Sequence, residues 1–577
     1  MASPDPAPIT AASHPDPTFS GSIEKKVQAP GAESDSATGN SASCELQDQS
    51  QRLPFARLIV AYLCLCLAYF ISYLDMNSLT TSLPTIAEAL DAGPSVTWAG
   101  TAYLLGQTAF QPLYGRISDI TGRKPVLLFS MGCIVIGGLL CGFSRTPIWL
   151  YTCRTISGIG GGGISSSIAI IVSDLVSLRS RGKYQGFISL AIGTGAASGP
   201  FVAASLIQTN SHGDGWRWVF WVPSIIAACC FALLLFLLPL KPVTGSLTEK
   251  VRKIDWLGVV TSVPAIVLVV MSINSGGSIW PWKDVKTIVI LAIGVVFLIL
   301  FITIEAFVAK IPIIPLRLLA TKSASVLILS GFLHDFVWQT TQYFIPLYFQ
   351  TVRGYTPMES ATLIVSFLIA QGLAGAASGP VMARYARYMP VLRCGLAVWT
   401  FGAGLKLLFD QTTHISVYVV VLAIEGAGVG WVHQPGLVAL QANSTDQDRA
   451  VATGTRNVFR SLGGVVGIAV STATYYAVMS KALGKAVPDW VRDDVLDGTW
   501  RIGDSGTSGY EGDILNARMK GFQAVFIMSV PLMAVCLTAS LLVADVILKG
   551  DDVSEETRSH DSNEMTEPST ATQHRTS

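Results

Sequence analysis

Fourteen apolar runs of roughly spanning length alternate with polar segments, the first starting near Leu58 and the last near Gly521. About 20 apolar residues cross a ~30 Å hydrocarbon core as a helix. In lipid, a segment of this kind satisfies its own backbone polar groups by folding as a helix. The pattern predicts an all-α polytopic membrane protein with fourteen spans. Polar stretches bracket it. Residues 1–52 are rich in Pro, Ser, Ala and Asp and hold no signal-peptide core, which predicts a disordered tail. Residues 550–577 predict a second, and residues 480–520 a long loop between the last two runs.

Composition agrees. Half of the 577 residues are hydrophobic and 13% are charged, against about 25% charged in soluble proteins. A net charge of +1 gives no bulk field for nucleic acid. Of ten cysteines only Cys44 lies outside an apolar run; the others read as small buried hydrophobes. No CxxC pair or secreted disulfide framework occurs. No Walker A sequence occurs either, so ATP is not expected to drive the protein directly, and no cofactor is expected.

Basic residues orient the chain. Arg116, Arg123 and Lys124 lie between runs 2 and 3, and Arg179, Arg181 and Lys183 between runs 4 and 5. Lys241, Lys250, Arg252 and Lys253 follow run 6. The alternate loops carry few, such as Arg145, Arg217 and Arg353. This asymmetry places both tails in the cytosol. The 480–520 loop is the exception, with six basic residues offset by acids such as Asp493, Asp494, Asp497 and Asp513. The sequon Asn443-Ser444-Thr445 falls on an inner loop, where no glycan is expected.

Several stretches carry chemistry. GRISDITGRK begins at Gly115, between runs 2 and 3. Gly115 allows close helix approach, Gly122 a tight turn, and Asp119, Arg123 and Lys124 a charge cluster. YLDMNSLTTSLP begins at Tyr73, RTISGIGGGG at Arg154, GTGAASGP at Gly193, WRWVF at Trp216 and DWLG at Asp255. Together they resemble the fourteen-span drug:proton antiporters of the major facilitator superfamily, of the fungal toxin and multidrug efflux type. The likeness covers Leu53 to about Lys549. Two departures are Ser157, where Gln is usual, and Ala203-Ala204, where a Gly pair is common.

The resemblance implies two six-helix bundles, residues 53–242 and 311–549, with two additional spans in residues 243–310. It implies that the Gly115 motif links helices at the cytosolic face and stabilises the state open to the outside. It gives Arg460, ahead of Gly463-Gly464, a similar role in tying cytosolic helix ends. Gly195 and Gly199 form a GxxxG pair that lets backbones approach, and Pro200 bends its helix. In related antiporters that bend is thought to hinder leak. The hexapeptide GAASGP recurs at Gly375–Pro380 and reads as shared packing chemistry.

Ionisable residues inside membrane spans are functional candidates by default. Asp75 and Arg154 lie at similar depth and are expected to pair or alternate as a proton is bound. A purely structural ion pair is the plainer alternative there. His334, Asp335 and Glu425 are further proton-coupling candidates; for His334 the alternative is a hydrogen-bonded interior histidine, and Glu425, flanked by glycines, needs a close neighbour helix to satisfy it. Glu305 and Lys406 lie near span ends and are expected to snorkel to the interface. Gln107, Gln111, Trp338, Gln339, Gln342, Tyr343, Phe344, Trp431 and His433 combine aromatic faces with amides, which suits an amphipathic organic substrate.

The leading expectation is a proton-coupled exporter, an antiporter of a toxin, secondary metabolite or drug, working by alternating access. The alternative is an importer of a siderophore or a vacuolar carrier of basic amino acids. A membrane enzyme using His334, Asp335 or His433 finds little support, because no HExxH pair or converging ligand set occurs. Expected partners are the substrate, protons and lipid, with the protein a monomer. Plasma membrane is the expected location, with the vacuolar membrane as alternative.

Overall fold

In the computed structural model the described residues are 55–546, apart from 93–94, 97, 177, 210–213, 239–254, 276–281, 310–311, 313, 315–317, 319, 446–447, 484–486, 497–499 and 501–508. Both tails, Cys44 and the basic residues from Lys241 to Lys253 lie outside them.

Among the described residues, fourteen long helices account for the fourteen apolar runs. The first six are α1 (Phe55–Ala89), α2 (Trp98–Thr121), α3 (Arg123–Gly142), α4 (Pro147–Leu175), α5 (Leu178–Thr209) and α6 (Gly215–Leu237). Next come α7 (Trp256–Ser275) and α8 (Val285–Phe307). The last six are α9 (Lys322–Thr351), α10 (Pro357–Tyr385), α11 (Met389–Leu405), α12 (Ile415–Ala442), α13 (Arg449–Ala482) and α14 (Glu511–Ala539). Twelve of them are long and apolar enough to cross a membrane by length and composition. The other two, α2 and α9, are 24 and 30 residues long but more polar. Both place polar side chains in the central cavity described below. No strand occurs among the described residues. Local chemistry sets several helix starts. Thr356 and Glu359 form a reciprocal capping box at α10, and Asp284 caps α8.

The helices pack as two bundles with repeated neighbours. In the first, α1 packs on α5 and α6, α2 on α4, and α3 on α4 and α6. In the second, α9 packs on α13 and α14, α10 on α12, and α11 on α12 and α14. Shifting the first set by eight helices gives the second, the signature of parallel repeats. The bundles meet along two lines related by the same shift, α2 with α13 and α5 with α10. Helices α7 and α8 pack on each other, and α7 leans on α2 and α13. Helix α8 leaves a broad apolar face exposed, including Ile288, Val296, Ile299 and Phe307, as a lipid-facing helix should.

The α5–α10 line depends on small residues. A Cβ added to Gly379 would overlap the Gly182 carbonyl oxygen. The two GAASGP copies pack differently. On α5, Gly195 and Gly199 face Phe70 and Asn77–Ser78 of α1. On α10, Gly375 and Gly379 face Ser189 and Gly182 of α5. One copy closes the first bundle internally, and the other joins the bundles. Pro200 lies inside α5.

The polar stretch expected as a loop between α13 and α14 contains a short helix, Asp489–Leu496. It is tied back by Arg492, which donates to the Ser480 hydroxyl at 3.1 Å. Arg518 on α14 lies 4.7 Å from the Trp500 ring and donates to the Thr351 carbonyl at 3.0 Å.

Candidate functional site

A cavity of about 110 Å³ lies between the bundles. The first bundle contributes Tyr69, Tyr73, Gln107, Gln111, Ser165 and Gln185; the second contributes Asp335, Trp338, Gln339, Gln371, Arg456 and Arg460. Gln111 accepts from the Ser461 hydroxyl at 2.7 Å and donates to Ser165 at 3.3 Å, so α2, α4 and α13 are cross-linked at its wall. Trp338 donates to Gln371 at 3.1 Å. Arg460 donates to Asp335 at 2.8 Å. His433 Nε2 stands 3.8 Å from the same carboxylate oxygen. Arg456 donates to the His433 carbonyl at 2.9 Å. The lining is therefore polar.

Of the residues expected to touch substrate, Gln107, Gln111, Trp338, Gln339 and His433 line this cavity. Gln342, Tyr343, Phe344 and Trp431 do not. Tyr343 is half exposed. Phe344 is buried among Tyr343, Tyr475 and Phe522, because its side of α9 faces α13 and α14. Trp431 packs beside Gly395 of α11.

The candidate proton-coupling residues separate into three groups. Asp75 and Arg154 meet at 2.9 Å and are 3% and 1% exposed. The guanidinium is also held over Tyr103 at 4.7 Å and Phe220 at 5.7 Å. Neither residue lines the cavity. Glu425 is fully buried and accepts from Lys406 at 2.8 Å and Thr341 at 3.2 Å. Lys406 is therefore sealed in rather than snorkelling, since Gly402 lets α11 close on Glu425. Glu305 is also buried and accepts from the Ile314 amide at 3.4 Å. Asp335 alone among the acids lies in the cavity. His334, one residue earlier, is not among the residues lining the cavity and lies 5.6 Å from Trp399.

The loop motif forms a network. Arg123 donates to Asp119 and, at 2.8 Å, to Asp174 at the end of α4. It also donates to Ser118 at 2.9 Å. Lys124 donates to the Leu235 and Leu238 carbonyls at 2.8 and 2.9 Å, capping α6. Gly122 sits at φ 103°, a conformation that only glycine adopts without strain. A Cβ on Gly115 would lie 3.1 Å from the Ala450 carbonyl of α13, so this motif abuts the second bundle. Arg460 departs from its expectation. It lies about 16 Å along α13 from Arg449 at 1.5 Å per residue and faces the cavity, so it does not tie helix ends.

Asp174, Gln185, Gln371, Gln434, Arg456 and Asn457 are site residues that motif reading did not assign. The available signal was an amide or charge inside or at the end of an apolar run.

A profile of the Major Facilitator Superfamily matches residues 65–326 and 327–564. The chain belongs to this superfamily. It is a membrane-spanning transporter and not an enzyme. Over 509 residues it is 34% identical to citrate exporter 1 of Yarrowia lipolytica, covering 88% of this chain and 75% of that one. Over 428 residues it is 32% identical to the efflux pump dotC of Dothistroma septosporum, covering 74% of this chain and 73% of that one. Among solved structures it resembles the human organic anion transporter MFSD10, with a TM-score of 0.54 and 16% identity over 85% of this chain and all of that one. It also resembles an inward-facing bacterial homologue of the lysosomal transporter Spinster, with a TM-score of 0.53 and 15% identity, covering 85% and 98%. At these identities the structural likenesses establish the fold alone.

Proposed function

We propose that this transporter is a proton-coupled antiporter that exports a small organic compound across the plasma membrane. The observation that carries the proposal is the polar cavity lined from both bundles. A site of that kind changes the side it faces when two rigid bundles rock about it. The Gly182–Gly379 and Gly115–Ala450 approaches lie at the end bearing the α2–α3 loop, which the basic residues place in the cytosol. By this reading the bundles are closed on the cytosolic side, in keeping with the role implied for the loop motif. The direction of transport is supported by relatives named as an exporter and as an efflux pump. Citrate, named for the first, and the products of fungal secondary metabolism are the natural first substrates to try.

Proton coupling is assigned in this reading to Asp75. A proton on its carboxylate weakens the contact to Arg154 and loosens α1 from α4. All fourteen long helices span the membrane in this reading, with both tails cytosolic and the carrier working as a monomer.

The test is accumulation of a compound panel in cells expressing wild type or Asp75→Asn, with and without a protonophore. Lower accumulation in the wild type, abolished by the protonophore and by Asp75→Asn, supports proton-driven export. Higher accumulation in the wild type overturns export and favours uptake. Protonophore-resistant export leaves the direction standing and removes the coupling.

A further inference from the structure

We propose that the substrate of the central cavity is a small organic anion whose carboxylates are received by Arg456 and Arg460, with Asp335 as the internal counter-ion that the substrate displaces. The inference rests on the reading of this cavity as the transport site.

Charge is the first argument. Among the described lining residues the charged side chains are Asp335, Arg456 and Arg460. Two guanidiniums face one carboxylate, so the cavity carries at least one positive charge in excess. Such an excess is costly at membrane depth, and a bound anion offsets it. Arg456 is 3% exposed. Its hydrogen bond to the His433 carbonyl supplies a dipole rather than a full counter-charge, and its second helix face neighbour, Arg460, repels it.

Geometry is the second. Guanidinium groups present planar, forked donors that match carboxylates two bonds at a time. Arg456 and Arg460 are four apart on α13 and so share a face. Arg460 engages Asp335 through one nitrogen at 2.8 Å, while its Nε has no hydrogen-bond partner among the described residues. His433 Nε2 is likewise without one. Arg460 therefore keeps donor capacity beyond the single bond it gives Asp335. Opposite them stand Gln107, Gln111 and Gln185, amides suited to hydroxyl and further carboxyl groups.

Size is the third. Drug-sized ligands occupy pockets of about 300–1,000 Å³. The 110 Å³ here suits a compact polar acid. An anion leaving a negative-inside cell also moves down the electrical gradient, so charge assists export.

The test is binding to the purified full-length protein in lipid nanodiscs, read by thermal stabilisation and calorimetry. The probes are succinate and tricarballylate, with succinamide and 1,4-diaminobutane as uncharged and cationic counterparts, each at up to about 10 mM. Succinate and tricarballylate are expected to stabilise the protein, and the counterparts are not. Arg456→Gln and Arg460→Gln are expected to weaken carboxylate binding at least about tenfold. Asp335→Asn, which frees Arg460, is expected to tighten it several-fold, about three- to tenfold. Arg456→Lys, which keeps the charge and loses the fork, separates lost binding from lost folding, with an expected intermediate affinity. Equal binding of succinamide and succinate, carboxylate binding indifferent to both arginines, or no carboxylate binding at all overturns the proposal. Because binding needs neither a gradient nor a direction, these outcomes stand apart from the export assay. If compounds are exported while the anions fail to bind, the function survives and the anion assignment falls.

Discussion

The protein holds charge inside the membrane in two ways. Asp75–Arg154 and Glu425–Lys406 are sealed within single bundles, with every partner 3% exposed or less. Asp335–Arg460 faces the cavity, with side chains 11% and 22% exposed. The sealed pairs join α1 to α4 and the turn just past α11 to α12. While its charges stay paired, each sealed pair holds two neighbouring segments of one bundle together, and in the proposed coupling a proton on Asp75 is the event that releases one of them. The cavity pair has room beside it, so a ligand can exchange for one partner. The difference separates charges that hold a bundle together until a proton arrives from charges that a ligand can reach.

The largest effect should come from splitting a sealed pair. Lys406→Met leaves Glu425 buried and uncompensated, at an expected cost of about 3–5 kcal/mol. The double variant Lys406→Met, Glu425→Leu should recover most of that, because two buried charges are removed together. Thermal unfolding in detergent reads both. Near-wild-type stability of the single variant would show that water reaches this pair, and the distinction between sealed and open pairs would collapse.

The second effect concerns the surface that lets the sealed bundles rock. Gly379→Leu forces a side chain into the Gly182 backbone, with an overpacking cost of about 1–3 kcal/mol. The cost falls on the closed state and spares each bundle's core. Labelling of Ser189→Cys by an impermeant maleimide from the side of the α2–α3 loop should rise. Unchanged labelling would mean that this line does not separate during transport.

How much of this was legible in the sequence follows from what each signal depends on. The helices were readable because each apolar run must satisfy its own backbone, and the fourteen runs match fourteen helices. Gly122 was readable from local turn chemistry. The Asp75–Arg154 contact was readable because charges at equal depth need partners. Lys406 was misplaced because distance from a helix end says nothing about which neighbour covers it. Arg460 was misplaced because a motif fixes a position along a helix and not the face it presents. Phe344 and Trp431 failed to reach the cavity for the same reason. The rest of the cavity's polar lining came from Gln185, Gln371, Gln434 and Arg456, residues scattered over four helices whose meeting is a property of the packing.

The third effect sharpens the comparison from the cavity side. Arg460→Lys keeps a cation for Asp335 but loses the planar fork. Stability should change by less than about 1 kcal/mol, because the pair is partly wet. Transport should fall about tenfold, or about 1.4 kcal/mol. Unfolding and transport measured on the same preparation decide it. A stability loss matching that of Lys406→Met would make this pair structural.

The smallest effect sets the floor for all of these. Gly132 lies inside α3, and a Cβ there would meet no atom within 4 Å. It touches neither a sealed pair, nor the line between bundles, nor the cavity. Gly132→Ala removes backbone entropy from the unfolded chain and should stabilise the helix by up to about 1 kcal/mol. Transport should stay at the wild-type rate. If transport instead fell as far as in Arg460→Lys, stiffening any helix would be enough to slow the carrier. The loss at Arg460 would then no longer speak for the cavity, and the contrast between rigid pairs and an exchangeable one would need another explanation.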